Sequence, residues 1–212
     1  MFNFSLKSFQ KGIEMYTILK PFKVREELRK RNVSFFTPME FNRIFHLPNF
    51  KIKRYFNIWT KEGFLIRLKQ GLYALKADLP GEEEIANRLY RPSYLSFEYA
   101  LAYHNILPEM PYSITSATSK PTRHFTVGSK EYSFYTIKLK AYTGYNLITA
   151  GKKSFLMAEP AKAIVDYLYF VALGKKSLNE RLKVKNSDRE KIIRYANLYD
   201  RPKLNQLIAQ IL

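Results

Sequence analysis

Residues 49–63 read NFKIKRYFNIWTKEG, and residues 64–75 continue with FLIRLKQGLYAL. At about 100° per residue, the first segment predicts an amphipathic helix that ends at Gly63. Its apolar side carries Ile52, Tyr55, Phe56 and Trp59, and its other side carries Phe50, Lys53, Arg54, Asn57 and Lys61. The second segment predicts a hairpin with a basic tip. One side of the helix can therefore anchor in a core while the other offers cations and an amide.

This pattern is typical of a recognition helix in a DNA major groove, followed by a wing. Asparagine can pair with adenine and arginine with guanine, while wing cations meet backbone phosphates. The residues predicted to contact DNA are Asn49, Lys51, Lys53, Arg54, Asn57, Lys61, Arg67, Lys69 and Gln70. A solvated helix face and an ordinary basic turn are the alternatives. Phe50 is expected to pack on the preceding helix, the alternative being contact with a thymine methyl group.

The segments before residue 49 supply the other elements of a winged helix-turn-helix domain, predicted over residues 21–77. Pro21 opens a helix to about residue 31, and Thr37-Pro38-Met39-Glu40 is a capping box that starts a helix to about Phe45. A short turn follows, and Asn49 is the expected N-cap of the next helix. Residues 1–20 form an extension with an amphipathic helix over about 5–19, whose role the sequence leaves open.

The charge of the chain favours a polyanionic partner. Its 212 residues hold 36 Lys and Arg against 18 Asp and Glu, a net charge of +18. Residues 1–76 carry 16 basic and 5 acidic residues, and the remainder carries 20 and 13, so the N-terminal third is the denser in positive charge. Cations that neutralise duplex phosphates release counterions, which drives binding. A basic surface kept for solubility is the alternative.

Composition also limits the cellular compartments in which the protein is expected. The chain has no cysteine, which excludes disulfides and thiolate metal sites. No apolar run approaches the roughly 20 residues that span a bilayer, and the N-terminus lacks a signal-peptide core. We therefore expect a cytoplasmic protein with no membrane association.

Residues 82–212 predict an α+β domain after a turn-rich boundary at residues 78–81. Helices are expected over about 82–89, 97–104, 159–173, 187–198 and 201–211, and strands over about 113–118, 123–127, 132–139 and 155–157. The fold class predicted for the whole chain is α+β: an N-terminal winged helix-turn-helix, then a small, largely antiparallel sheet flanked by helices.

Three stretches resemble the AbiEi family of antitoxins from type IV toxin–antitoxin systems. They are LIRLKQGLYA at residues 65–74, PSYLSFEYALAYHNILPE at residues 92–109, and AEPAKAIVD at residues 158–166. Their order and spacing match the family from about residue 37 to 170. Two departures are Phe97-Glu98-Tyr99, where a small residue is usual before Ala100, and Asn105, where the family often has glycine.

The resemblance implies a DNA-binding antitoxin and transcriptional autorepressor. In that family the winged helix binds inverted repeats in double-stranded DNA upstream of its own operon. The C-terminal domain counteracts a nucleotidyltransferase-like toxin, generally without a stable complex, so direct contact with the toxin is uncertain. A winged-helix adaptor that binds a protein or RNA partner is the alternative function.

Catalysis finds little support in the sequence. The histidines His46, His104 and His124 show no metal-ligand spacing, and no phosphate-cradling glycine loop occurs. Lys162 and Asp166 are four residues apart on a predicted helix, so an intrahelical ion pair is their simplest explanation and a functional surface is the alternative. We expect no enzymatic activity, no cofactor and no metal.

Overall fold

The computed structural model describes residues 19–151, 153–184 and 189–212, and the helix predicted for residues 5–19 falls outside this part apart from its last residue. The chain divides into two compact units. The N-terminal unit runs to Ile66 and includes Ala74–Leu79, while the C-terminal unit comprises Arg67–Tyr73 and Pro80–Leu212. Helices and strands are both present, so the protein is α+β. Across the described ranges, no helix is long and apolar enough to cross a membrane.

Three helices precede a two-stranded hairpin. The elements are α1 (Pro21–Lys30), α2 (Pro38–Phe45), α3 (Asn49–Lys61), β1 (Leu65–Lys69) and β2 (Leu72–Leu75). These bounds agree with the predicted helix and hairpin positions to within a residue or two. The division between the units passes through the hairpin, since its tip, residues 67–73, belongs to the C-terminal unit.

The ends of α2 and α3 follow from local chemistry. The Glu40 amide donates to the Thr37 hydroxyl at 3.1 Å and the Thr37 amide donates to the Glu40 carboxylate at 2.7 Å, which completes the predicted capping box. His46 ends α2 in a left-handed conformation with φ of 50°. The prediction that Asn49 caps α3 is wrong, because Pro48 holds the N-cap position and makes no side-chain cap hydrogen bond. Asn49 is instead the first helical residue.

Aromatic rings fill the core of the N-terminal unit. Phe36, Phe41, Phe56 and Trp59 are each at most 3% exposed. The Phe41 and Phe56 ring centroids lie 5.1 Å apart in an edge-to-face arrangement, which places α2 against α3. The buried side of α3 is thus the side that its sequence pattern predicts.

A six-stranded sheet lies at the centre of the C-terminal unit. Its strands are β3 (Ser93–Leu95), β4 (Ile114–Thr118), β5 (Arg123–Val127), β6 (Lys130–Thr136), β7 (Tyr145–Ala150) and β8 (Lys153–Ala158), in the order β5-β6-β4-β3-β8-β7. The helices are α4 (Glu82–Leu89), α5 (Phe97–Tyr103), α6 (Pro160–Ala172), α7 (Arg189–Asn197) and α8 (Pro202–Ile211).

The sheet is mixed rather than simply antiparallel. The pairs β3–β4, β5–β6 and β7–β8 are antiparallel, whereas β3–β8 and β4–β6 are parallel. The strands predicted over about 123–127 and 132–139 are present as β5 and β6, which pair with Val127 opposite Lys130. Strands β3 and β7 were not predicted.

The interior of the C-terminal unit holds an ion pair. The ammonium of Lys162 donates to the Asp166 carboxylate, and both side chains are 0% exposed. Asp166 also accepts hydrogen bonds from the hydroxyls of Tyr94 at 2.9 Å, Ser96 at 2.7 Å and Tyr199 at 2.5 Å. Serine is a common N-cap residue, but the hydroxyl of Ser96, which precedes α5, binds Asp166 and makes no cap hydrogen bond to that helix.

Candidate nucleic-acid interface

The polar side of α3 is open to solvent. Lys53, Arg54, Asn57 and Lys61 are all exposed. On the opposite side of the same helix, Ile52, Phe56 and Trp59 are at most 3% exposed. The helix therefore presents to solvent four hydrogen-bonding side chains of the types that contact bases and phosphates. Its opposite side is anchored in the core by buried apolar residues.

The first turn of α3 adds backbone donors to this side of the N-terminal unit. Asn49 is exposed and Lys51 is half-buried. Pro48 at the N-cap makes no side-chain cap hydrogen bond, and the first turn of α3 carries no acidic residue. The Lys51 amide donates to the Pro48 carbonyl oxygen at 3.0 Å, so the donors at this helix start are the amides of Asn49 and Phe50, beside the positive end of the helix dipole.

Phe50 departs from expectation. Packing on α2 was predicted, but the side chain is 70% exposed. It lies in the first turn of α3, three and four residues before Lys53 and Arg54. The aromatic ring is therefore part of the same accessible surface as the cations.

The three hairpin residues predicted to contact DNA differ in exposure. Arg67 and Gln70 are exposed, and Gly71 has φ of 74°, as the turn requires. Lys69 is half-buried, and its ammonium donates to the Leu89 carbonyl oxygen at 2.7 Å. Arg67 and Gln70 are consequently available to a ligand, whereas Lys69 already holds the tip against the end of α4.

Further cations surround Lys69 within the C-terminal unit. Burial lowers the pKa of Lys69, and the charges of Arg88, Lys120 and Arg123 lower it further. Lys120 and Arg123 lie over the ring of Tyr90, at 5.7 and 5.6 Å from its centroid. Sequence reasoning missed this group because its members come from α4, a loop and β5, and only the fold brings them together.

The pair Lys162 and Asp166 forms no surface. An intrahelical ion pair was the simplest prediction, and it is present, but its full burial and its hydroxyl partners were not foreseen. The alternative of an exposed functional surface is wrong for these two side chains. Burial lowers the pKa of Lys162, an effect that the charge of Asp166 opposes.

The histidines are dispersed. His104 contacts the Ala158 carbonyl oxygen at 2.8 Å through Nε2, and His124 contacts the Ser133 hydroxyl at 3.1 Å through Nδ1. Within residues 19–151, 153–184 and 189–212, no group of three or more His, Asp or Glu side chains could hold a metal ion.

Comparison with known proteins adds no assignment. Neither a protein-family model nor a curated protein matches the chain. The function must therefore be argued from the residues of the two units themselves.

Proposed function

We propose that this protein is a cytoplasmic, non-enzymatic, double-stranded DNA-binding antitoxin that represses its own type IV toxin–antitoxin operon. The observation that carries the DNA-binding part is the exposure of Lys53, Arg54 and Asn57 on α3, opposite a buried aromatic side. An arginine and an asparagine on one rigid helix can each form a bidentate contact with a purine edge.

The arrangement of the N-terminal unit supports a winged helix-turn-helix. Only residues 46–48 separate α2 from α3, and a two-stranded hairpin follows α3 directly. In this proposal α3 enters the major groove, with its first turn towards the base edges. Arg67 and Gln70 of the hairpin contact phosphates, while Lys69 fixes the tip through Leu89. Two protomers on an inverted repeat would match the symmetry of such an operator.

The antitoxin part rests on the resemblance to the AbiEi family. Of the two departures from that pattern, Asn105 replaces a frequent glycine and has φ of 57°. Glycine and asparagine are the residues that most readily adopt this left-handed conformation, so the replacement does not count against the likeness. The C-terminal unit is the part proposed to counteract a nucleotidyltransferase-like toxin.

The DNA-binding part can be tested by removing two charges from α3. We expect Lys53→Gln with Arg54→Gln to weaken binding to the DNA upstream of the gene at least thirtyfold, since each base contact contributes about 1–3 kcal/mol. Fluorescence anisotropy with a labelled duplex measures the affinity. The control is Arg29→Gln with Lys30→Gln, which removes the same charge from adjacent exposed positions on α1. Equal losses in the two double variants would contradict a role for α3.

The antitoxin part has a separate test. Expression of the nucleotidyltransferase-like product of a neighbouring gene should arrest growth. Co-expression of the wild-type protein should restore it. Lys53→Gln with Arg54→Gln should restore growth equally well, because the altered side chains lie outside the C-terminal unit. Failure of the wild-type protein to restore growth would refute the antitoxin role and leave the DNA-binding result standing.

A further inference from the structure

Phe50 is a large apolar side chain exposed to solvent, on a helix that buries two of its other aromatic residues. Phe56 and Trp59 are each 3% exposed, whereas Phe50 is 70% exposed. Helical spacing places Phe50 on the polar side of α3, and its ring is exposed there instead of packing on α2 as predicted.

The neighbours of Phe50 on that side are hydrogen-bonding groups. Lys53 and Arg54 follow it by three and four residues, and Asn57 follows by seven, so all four side chains share one strip of α3. All three polar members are exposed. The strip therefore begins with an apolar ring in the first turn and continues with two cations and an amide.

A duplex with thymine in its major groove complements this combination. The phosphates match the cations, purine edges match the arginine and the amide, and the thymine 5-methyl group is the apolar feature of the groove. Residues in the first turn of a recognition helix lie nearest the base edges. We propose that Phe50 is a specificity-determining residue that contacts a thymine methyl group in the operator. This inference rests on the proposed DNA-binding function and adds the base feature that is read.

Deoxyuridine tests the contact, because it pairs like thymidine and lacks only the methyl group. Two versions of the upstream duplex, one with thymidine and one with deoxyuridine throughout, are titrated with wild-type protein and with Phe50→Ala. The wild-type affinity should fall about fourfold for each contacted methyl group, as expected for hydrophobic contact with one carbon. Phe50→Ala should bind the thymidine duplex more weakly and should not distinguish the two duplexes.

Phe22→Ala is the matched control. Phe22 is 76% exposed and is the second residue of α1, just as Phe50 is the second residue of α3. This variant should retain the full preference for the thymidine duplex. A change in duplex flexibility caused by deoxyuridine would affect all three proteins alike, which separates it from a direct contact.

Each outcome decides the inference. An unchanged wild-type affinity for the deoxyuridine duplex, or an equal loss in wild-type protein and Phe50→Ala, overturns the role of Phe50. If Lys53→Gln with Arg54→Gln still weakens binding at least thirtyfold in that case, the proposed DNA-binding function survives. If the wild-type protein binds the upstream duplex no better than unrelated DNA, both the inference and the proposed function fall.

Discussion

Replacing Lys162 with methionine should strongly destabilise the C-terminal unit. Methionine approximates the length of the lysine stem but removes the ammonium, and Asp166 then remains charged in a site that is 0% exposed. The hydroxyls of Tyr94, Ser96 and Tyr199 still donate to the carboxylate, but none of them carries a positive charge. Breaking a buried ion pair from one side costs about 3–5 kcal/mol of unfolding free energy.

Asp166→Asn leaves the opposite defect, with a different pH dependence. Lys162 remains without its counter-charge. Burial already lowers its pKa in the wild-type protein, and loss of the Asp166 charge, which raises that pKa, lowers it further in the variant. With a folded-state pKa below the unfolded one, the unfolded chain binds more protons, so stability rises as the pH approaches the unfolded pKa of about 10.4. The destabilisation by Asp166→Asn should therefore diminish between neutral pH and pH 10.

Guanidinium unfolding followed by far-UV circular dichroism measures both effects. Lys191→Met is the matched control, because Lys191 pairs with Glu159 at 3.1 Å but its side chain is 53% exposed. Such a surface pair contributes about 0–1 kcal/mol. The variant Lys162→Met with Asp166→Asn should be less destabilised than the sum of its parts, since neither buried charge is then left alone. A loss below 1 kcal/mol for Lys162→Met, equal to that of Lys191→Met, would refute the burial argument.

Three further predictions concern the hairpin, the tyrosines and one glycine. If the hairpin contacts DNA phosphates as proposed, Arg67→Gln should reduce the slope of log DNA affinity against log salt concentration by about one. Lys69→Gln, which loses the ammonium that already binds Leu89, should lower the unfolding free energy without changing that slope. Burial raises the pKa of Tyr94 and Tyr199 well above 10. Above pH 10 the folded state thus keeps tyrosine protons that the unfolded chain loses. The unfolding free energy measured by denaturant titration should therefore fall from pH 10.5 to 11.5, by up to about 1.4 kcal/mol per tyrosine. A flat profile would contradict this. Gly144→Ala should lower the thermal midpoint more than Gly128→Ala, because both have positive φ but only at Gly144 would a Cβ meet the Tyr195 ring, at 2.8 Å; equal shifts would exclude that contact.

Local signals in the sequence predict much of the N-terminal unit. The capping box at Thr37 and the 3.6-residue periodicity of α3 each involve residues close in the chain, and both appear as expected. Asn49 was misassigned because its side chain suits an N-cap, whereas Pro48, with φ of −57° and ψ of 143°, takes that position. For the proposed interface, the sequence predicts the exposed cations but not the exposure of Phe50, which depends on how α2 and α3 pack.

Non-local pairing limits prediction of the C-terminal unit. Strand β3 is three fully buried residues, too short to show any alternation. Strand β7 lies at the sheet edge, where its exposed residues lack an apolar pattern. The parallel pairs β3–β8 and β4–β6 join strands separated in sequence, so no hairpin signal marks them. The same separation hides the cations around Lys69 and the hydroxyls around Asp166.

The hairpin contributes residues to both units, and this limits how the N-terminal helices and the hairpin could be recombined with other proteins. Recombination at a single point after Leu79 would transfer residues 67–73 without Leu89, whose carbonyl oxygen receives the Lys69 ammonium. Any chimaera that inherits the three helices and the hairpin therefore needs a host offering an equivalent acceptor. If α3 reads DNA as proposed, changing its exposed side chains would alter the operator and leave the Lys69–Leu89 contact intact.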